Sequence, residues 1–488
     1  MLCSSLHSAF GSIEHLNHSL GSTPSMPYRA NLYLPSTGGI YDHALPLLHP
    51  ERKRGSAPIS PLTNGHPSLI THQPNMKAAS ILGSALLAAV SVQGHVVPQA
   101  RDTPVEDLAS EEPLQITSLL EEAKAKVINQ VALNERKMRK RGLTPSCTVD
   151  KLRFRREYGS LSTSERLAYV NAVKCLQTLP PLTPASVAPG ARSRFDDFIV
   201  THIQQTLNIH FSGNFQPWHR WYVYQYEKAL REECGYNGSQ PYWDWPKYSS
   251  APQDSPLFNG DPYSLGGNGE YIPHEGPVIV PPPGVGGGNI QLPAGLGGGY
   301  VTTGPFANMT INLGPVGGLE GVPAGPLGGL GYNPRGLKRD IGPAMNQRYA
   351  NWTTVLTLLS QPNIDAFRHV SEGVPYTPEI GPHGGMHYNI GGDPGGDLFT
   401  SPGDPAFWVH HGQMDRMWAV WQALGSPFST TRYTDLGTGP YAHQSWANEP
   451  PSPLTPLTEV LDMGYAAPST TIANVMSTTG GEFCYFYL

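Results

Sequence analysis

Asp404-Pro405-Ala-Phe-Trp-Val-His410-His411-Gly-Gln-Met-Asp415-Arg416-Met-Trp418 reads as the start of a helix. Asp-Pro is an opening signal, and the pattern runs on to about Leu424, before Gly425 and Pro427. His411 and Asp415 stand four apart, so they share one face of that helix.

The other histidines extend the pattern. Six of the 18 fall into two trios. The first is His202, His210 and His219, with seven and eight residues between neighbours. The second is His383, His387 and His411, with three and 23 between. His383 and His387 at i and i+4 can hold one ion from a helix face. His202 is expected on a helix over 193–207. His210 falls in a loop marked by Asn208, Gly213, Asn214 and Pro217. His219 is expected in the first turn of the next helix, which runs to about Glu233 and stops at Gly235. Neutral imidazole suits Cu, Zn, Fe and Ni, so ligand type alone does not name the metal. A lone histidine is more often a satisfied surface or helix-end residue; the weight rests on the joint pattern.

Further helices are expected over 115–137, 161–178 and around 343–360. The stretch from about 250 to 335 is rich in Gly and Pro and reads as long excursions over a rigid scaffold. The fold expected is mainly α: a four-helix-bundle core with long Gly/Pro-rich loops and few short strands, in one domain over 142–488.

Composition agrees with a packed enzyme-sized domain. The chain has 488 residues, 14% of them charged, and a formal net charge of −6. No basic stripe points to nucleic acid, and no long acidic tract to a solvating tail. Nine Trp and 23 Tyr suit an aromatic-rich core.

The N-terminal part reads differently. Residues 1–75 have no sustained apolar period and are expected to be a non-native leader or an extension of the gene model. Met76-Lys77, the apolar run Ala78–Val92 and small residues up to Gly94 have the anatomy of a secretory signal over 76–94. The run is short for a membrane span. The alternative is a genuine extension with an anchor at 78–94. Arg139-Lys140-Arg141-Gly142 suits a furin-like protease, which makes 95–141 a candidate propeptide. Equally, basic residues suit a helix C-terminus. Cys3 aside, Cys147, Cys175, Cys234 and Cys484 are an even set in an exported chain. Three pairings are open; the expected one is Cys147–Cys484 with Cys175–Cys234. Sequons stand at Asn237, Asn308 and Asn351.

Several motifs together resemble the tyrosinase/catechol oxidase family of type 3 copper proteins, in its short fungal branch. They are Phe215-Gln-Pro-Trp-His219-Arg220-Trp, Tyr226-Glu227, Pro241-Tyr-Trp-Asp-Trp245, Pro382-His383-Gly-Gly-Met-His387 and the 404–418 stretch. The resemblance spans about 147–488. It implies two copper ions, one on each trio, with O2 as co-substrate and small phenols as substrates. It makes His411 the ligand and His410 its outer neighbour. An Asp415–Arg220 pair is expected to clamp the two ligand helices; an ordinary surface ion pair is the alternative. Many relatives cross-link a cysteine to the second histidine of the first trio. Here Asn208 stands two before His210, so that thioether is expected to be absent. Leu398, 13 before His411, takes the place of a bulky gate residue. Glu379, four before His383, is where relatives place a glutamate that orders a water. Gly384 stands where strong monophenol hydroxylases often have Asn. The resemblance therefore implies a secreted o-diphenol or o-aminophenol oxidase, a monomer or homodimer, with a full tyrosinase as the alternative. An O2 carrier of the hemocyanin kind would need an occluded copper pair. A zinc hydrolase would carry His-Glu-x-x-His, which this chain lacks.

Overall fold

The computed structural model describes residues 110–279, 289–317, 322–373, 379–425, 431–434 and 453–488. The leader, the signal segment and residues 95–109 of the candidate propeptide lie outside them. The described residues all belong to one unit.

Among the described residues the protein is mainly helical. The helices are α1 (Leu114–Lys140), α2 (Thr163–Leu176), α3 (Arg194–Ile209) and α4 (Phe215–Cys234). They continue with α5 (Pro343–Tyr349), α6 (Trp352–Leu359), α7 (Ile364–Glu372), α8 (Gly381–Ile390) and α9 (Ala406–Leu424). Local chemistry explains their ends. Ser162 and Glu165 form a reciprocal capping box at α2, and Ser193 and Asp196 do the same at α3. Pro217 lies in the first turn of α4, and Gly235 ends it with a left-handed backbone, φ +69°. The single helix expected over 343–360 is two. Ala350 leaves the helical region, and the Asn351 side chain caps α6 by accepting the Thr354 N–H.

The Gly/Pro tract is not bare loop. It folds into short antiparallel pairs: β2 (Gly269–Tyr271) with β5 (Gly298–Val301), β3 (Val278–Ile279) with β4 (Ile290–Gln291), and β6 (Thr310–Ile311) with β7 (Arg335–Gly336). A further pair joins β8 (Val460–Leu461) to β9 (Thr470–Thr471). Separately, β1 (Arg153–Arg155) pairs in parallel with β10 (Tyr485–Tyr487). The Cys147–Cys484 disulfide lies at that junction, and Cys175–Cys234 joins α2 to the end of α4.

The core is aromatic. Trp218, Trp243, Trp245, Trp408, Trp418 and Trp421 are fully buried. Tyr226 of α4 stacks on Trp408 of α9 at 3.6 Å, so these two helices are locked face to face. Helices α3, α4, α8 and α9 surround the histidines. Helix α1 packs on the outside of α9 through Ile116, Ala123, Val127 and Val131, all buried. A cut after Arg141 would leave α1 held by packing and hydrogen bonds without a covalent tie, because Cys147 lies beyond the cut.

Candidate metal centre

The two trios converge between α3, α4, α8 and α9. His202 lies in the middle of α3, and His210 is the residue that ends it. His219 sits in the second turn of α4, one turn deeper than expected, because the helix already begins at Phe215. His383 and His387 lie one turn apart on α8, and His411 is on α9. Ring centroids in the first trio are 5.2–5.8 Å apart. In the second they are 4.8–5.3 Å apart. The trios face each other: His219 stacks on His411 at 4.4 Å, and His210 lies 5.6 Å from His383. Each group offers ligand atoms within 4.8 Å of one another.

The hydrogen bonds set which nitrogen is free. Nδ1 of His202 faces the Phe399 carbonyl at 2.8 Å, that of His210 the Thr206 carbonyl at 2.8 Å, and that of His219 the Phe215 carbonyl at 2.9 Å. A carbonyl only accepts, so each of these Nδ1 atoms carries the proton and each Nε2 keeps a lone pair. Nε2 of His202, His219 and His383 is buried without a hydrogen-bond partner. Such orphaned acceptors are costly unless something electrophilic lies between them. Nε2 of His387 and Nε2 of His411 lie 3.1 Å apart, as two ligands of one ion do. Soft-to-borderline imidazole sets with no carboxylate among them suit copper.

His410 is different. The Trp245 indole N–H donates to its Nδ1 at 3.1 Å, and its Nε2 faces the His383 carbonyl at 3.2 Å. Both nitrogens are used, so it has no lone pair for an ion. That chemistry favours His411 as the third ligand and leaves His410 buttressing α8.

Burial, reinforced by the other imidazoles, holds the histidines neutral. It pushes His202 down to about 3, through desolvation first and His210 second, and His210 down to about 4. His219, His383, His387 and His411 lie well below the usual range for the same reason. Neutral imidazoles are the form that binds metal.

The family model for the common central domain of tyrosinase matches residues 192–424. Tyrosinase P of Aspergillus terreus is 41% identical over 349 residues, which is 71% of this chain and 95% of that protein. The chain belongs to the tyrosinase family. The N-acetyl-6-hydroxytryptophan oxidase of Emericella nidulans is 37% identical over 350 residues, 70% of this chain and 93% of its own. A solved structure of a polyphenol oxidase variant from Thermothelomyces thermophila is 73% identical. It covers 78% of this chain and 100% of that one, with a TM-score of 0.74. This tyrosinase-family protein is therefore a copper-dependent oxidoreductase of small phenols, with a binuclear site and O2 as co-substrate.

The remaining expected site residues fall into three groups. Arg220 and Asp415 meet: Arg220 Nε donates to Asp415 Oδ1 at 2.5 Å, with both side chains buried. Asp415 also accepts from Arg155 at 3.2 Å and from the hydroxyls of Tyr485 and Tyr487 at 2.6 Å each. Arg155 in turn binds Glu227 of α4. Burial alone would raise the Asp415 carboxyl; Arg220 and Arg155 outweigh it and hold the group below its ordinary range. Arg155, Tyr485 and Tyr487 had no spacing signal, because β1 and β10 lie at opposite ends of the domain.

A Cβ on Gly384 would meet the Ile380 side chain first, at 3.4 Å, an ordinary contact. Leu398 is 39% exposed. Glu379 lies just outside the helix that carries His383. Its side chain is exposed, and its charge bears on Tyr349. Helix α8 begins at Gly381, so Glu379 is not one helical turn before His383. The buried carboxylate beside the first trio is Glu372, at the end of α7, a helix that the sequence reading did not include. Its Oε2 accepts the Phe211 N–H at 2.6 Å, next to His210, and burial pushes it up to about 7.

Of the sequon residues, Asn237 and Asn308 are exposed, and Asn351 is half-buried as the α6 cap. Among the described residues no helix is long and apolar enough to cross a membrane.

Proposed function

We propose that this enzyme oxidises o-diphenols and o-aminophenols and hydroxylates monophenols weakly. Two diphenols, each giving two electrons and two protons, reduce one O2 to two waters. His202, His210 and His219 would hold one copper, and His383, His387 and His411 the other. When bound, the pair supplies O2 binding and electron exchange. The protein holds the six imidazoles neutral and oriented, and leaves Gly384 and Leu398 at the substrate side.

The observation that carries this reading is Gly384. Beside a proposed ligand there is space but no amide to hold a water as a base toward a phenol. The test is O2 uptake with a catechol, an o-aminophenol and tyrosine. Gly384→Asn is expected to raise the tyrosine-to-catechol rate ratio several-fold. Tyrosine turned over as fast as catechol by the parent enzyme would overturn the reading. A full tyrosinase is the second reading, favoured by Glu372 and by a relative whose named substrate carries one ring hydroxyl.

The same proposal includes export through the signal at 76–94, glycans at Asn237, Asn308 and Asn351, and a monomer or homodimer. Two disulfides support an oxidising compartment. N-terminal sequencing of the secreted protein checks it; residues from 1–75 in the mature product would count against it.

A further inference from the structure

The turn that delivers a carbonyl to His202 is built round one buried carboxylate. Asp397 is fully buried and accepts four backbone N–H groups. Oδ1 takes those of Phe399 at 2.8 Å and Thr400 at 2.9 Å. Oδ2 takes those of Val316 at 2.8 Å and Gly317 at 2.9 Å. The first pair closes residues 397–400 into a turn. The second ties that turn to the loop after β6. Inside the turn, the Phe399 carbonyl accepts the Nδ1 proton of His202. Leu398, half-exposed, is carried between the anchor and that carbonyl.

We propose that Asp397 is a positioning residue for the metal centre. By holding the turn it keeps the Phe399 carbonyl on Nδ1 of His202, and so fixes the tautomer whose Nε2 is free for copper. It also sets the backbone direction of Leu398, so one carboxylate governs both a ligand and the residue at the proposed substrate side. The inference rests on His202 being a ligand.

A carboxylate presents two acceptor oxygens, and here each takes two donors. An asparagine presents one oxygen and an NH2 group, which would face two N–H donors across the turn. Either the 397–400 turn or its tie to the opposite loop must then open. His202 has its backbone partner inside that turn. The other first-trio histidines take theirs from within α3 and α4, and the second trio hangs on α8 and α9. The damage should therefore fall on one ion.

The test uses the copper-loaded full enzyme. The parent, Asp397→Asn and His202→Ala are each dialysed against EDTA, with copper counted per chain and EPR recorded alongside. Asp397→Asn is expected to release copper several-fold faster than the parent, with a pause near about one ion per chain. A lone cupric EPR signal should grow in as the coupled pair is lost. Parent-like retention in Asp397→Asn, with loss in His202→Ala, overturns the proposal while leaving the ligand assignment standing. Loss of both ions at equal rates also overturns it, because that is a general structural effect. Unchanged retention in His202→Ala removes the ligand assignment and this inference together. Should Asp397→Asn fail to fold, Gly317→Pro deletes one donor from the opposite loop. Selective faster release then supports the role, and a parent rate overturns it.

Discussion

Asp415 carries more than its sequence position suggested. Two guanidinium groups and two phenols converge on it, and it sits one turn beyond His411 on α9. Asp415→Asn removes the charge that compensates Arg220 and Arg155, both fully buried. Breaking a buried pair in this way costs about 3–5 kcal/mol. Urea unfolding of the apo-protein should register that loss, and copper content should fall with it. The histidines set a pH dependence. His202, His210 and His410 stay neutral in the fold down to about 3–4, whereas unfolded histidine takes a proton near about 6.5. Between those limits the unfolded chain binds more protons, so stability falls as pH falls. Glu372 acts with the opposite sign: raised to about 7, it holds a proton in the fold that the unfolded chain has lost, so its contribution is lost as pH rises toward 7. Burial raises Glu157, Asp196, Asp397 and Glu459 in the same sense, and the seven lowered histidines outweigh these five carboxyls. Thermal melts of apo-protein should therefore move down steadily from about pH 6.5 to 4.

Among the elements, α8 is the most constrained. It presents two proposed ligands from ten residues, and two of those are adjacent glycines with different surroundings. A Cβ on Gly385 would lie 2.4 Å from Cβ of Tyr349 on α5, an impossible approach. On Gly384 it would meet only ordinary contact with Ile380. Gly385→Ala should therefore push α8 off α5 and destabilise by about 1–3 kcal/mol, with weaker copper retention. Gly384→Ala should leave stability within about 0.5 kcal/mol of the parent. Parallel thermal melts and metal counts on the two variants separate these outcomes. Helix α1 makes a related point. Its dibasic end reads as a cleavage site, yet its apolar stripe is part of the same core as α9.

For the whole molecule, the two disulfides divide the work unequally. Cys147–Cys484 spans 337 residues and Cys175–Cys234 spans 59. On chain entropy the longer loop should contribute more, about 6 kcal/mol against about 4. Replacing each pair by serine and comparing urea midpoints tests the order. Much of this architecture was legible in the sequence. Pro217 with Gly235, and Asp404 with Gly425, marked helix ends within a few residues, because caps act locally. The six histidines were legible because His383 and His387 stand one helical turn apart and the motifs around all six resemble the family. What escaped notice was non-local or too short. Ladders of two to four residues in the Gly/Pro tract show no period. The Asp415 network joins Arg155 to Tyr487 across the length of the domain. Glu372 stood out only once burial and the Phe211 contact were visible.

All four described cysteines are consumed in disulfides, and Asn208, two before His210, is exposed. Among the described residues no free thiol is therefore left to bond to His210. The loaded and empty proteins differ by their ions alone, so stripping and refilling should trace a closed cycle without hysteresis. Repeated rounds should return the same absorption spectrum and the same peptide masses, with no irreversible first loading to set a fresh chain apart from a used one.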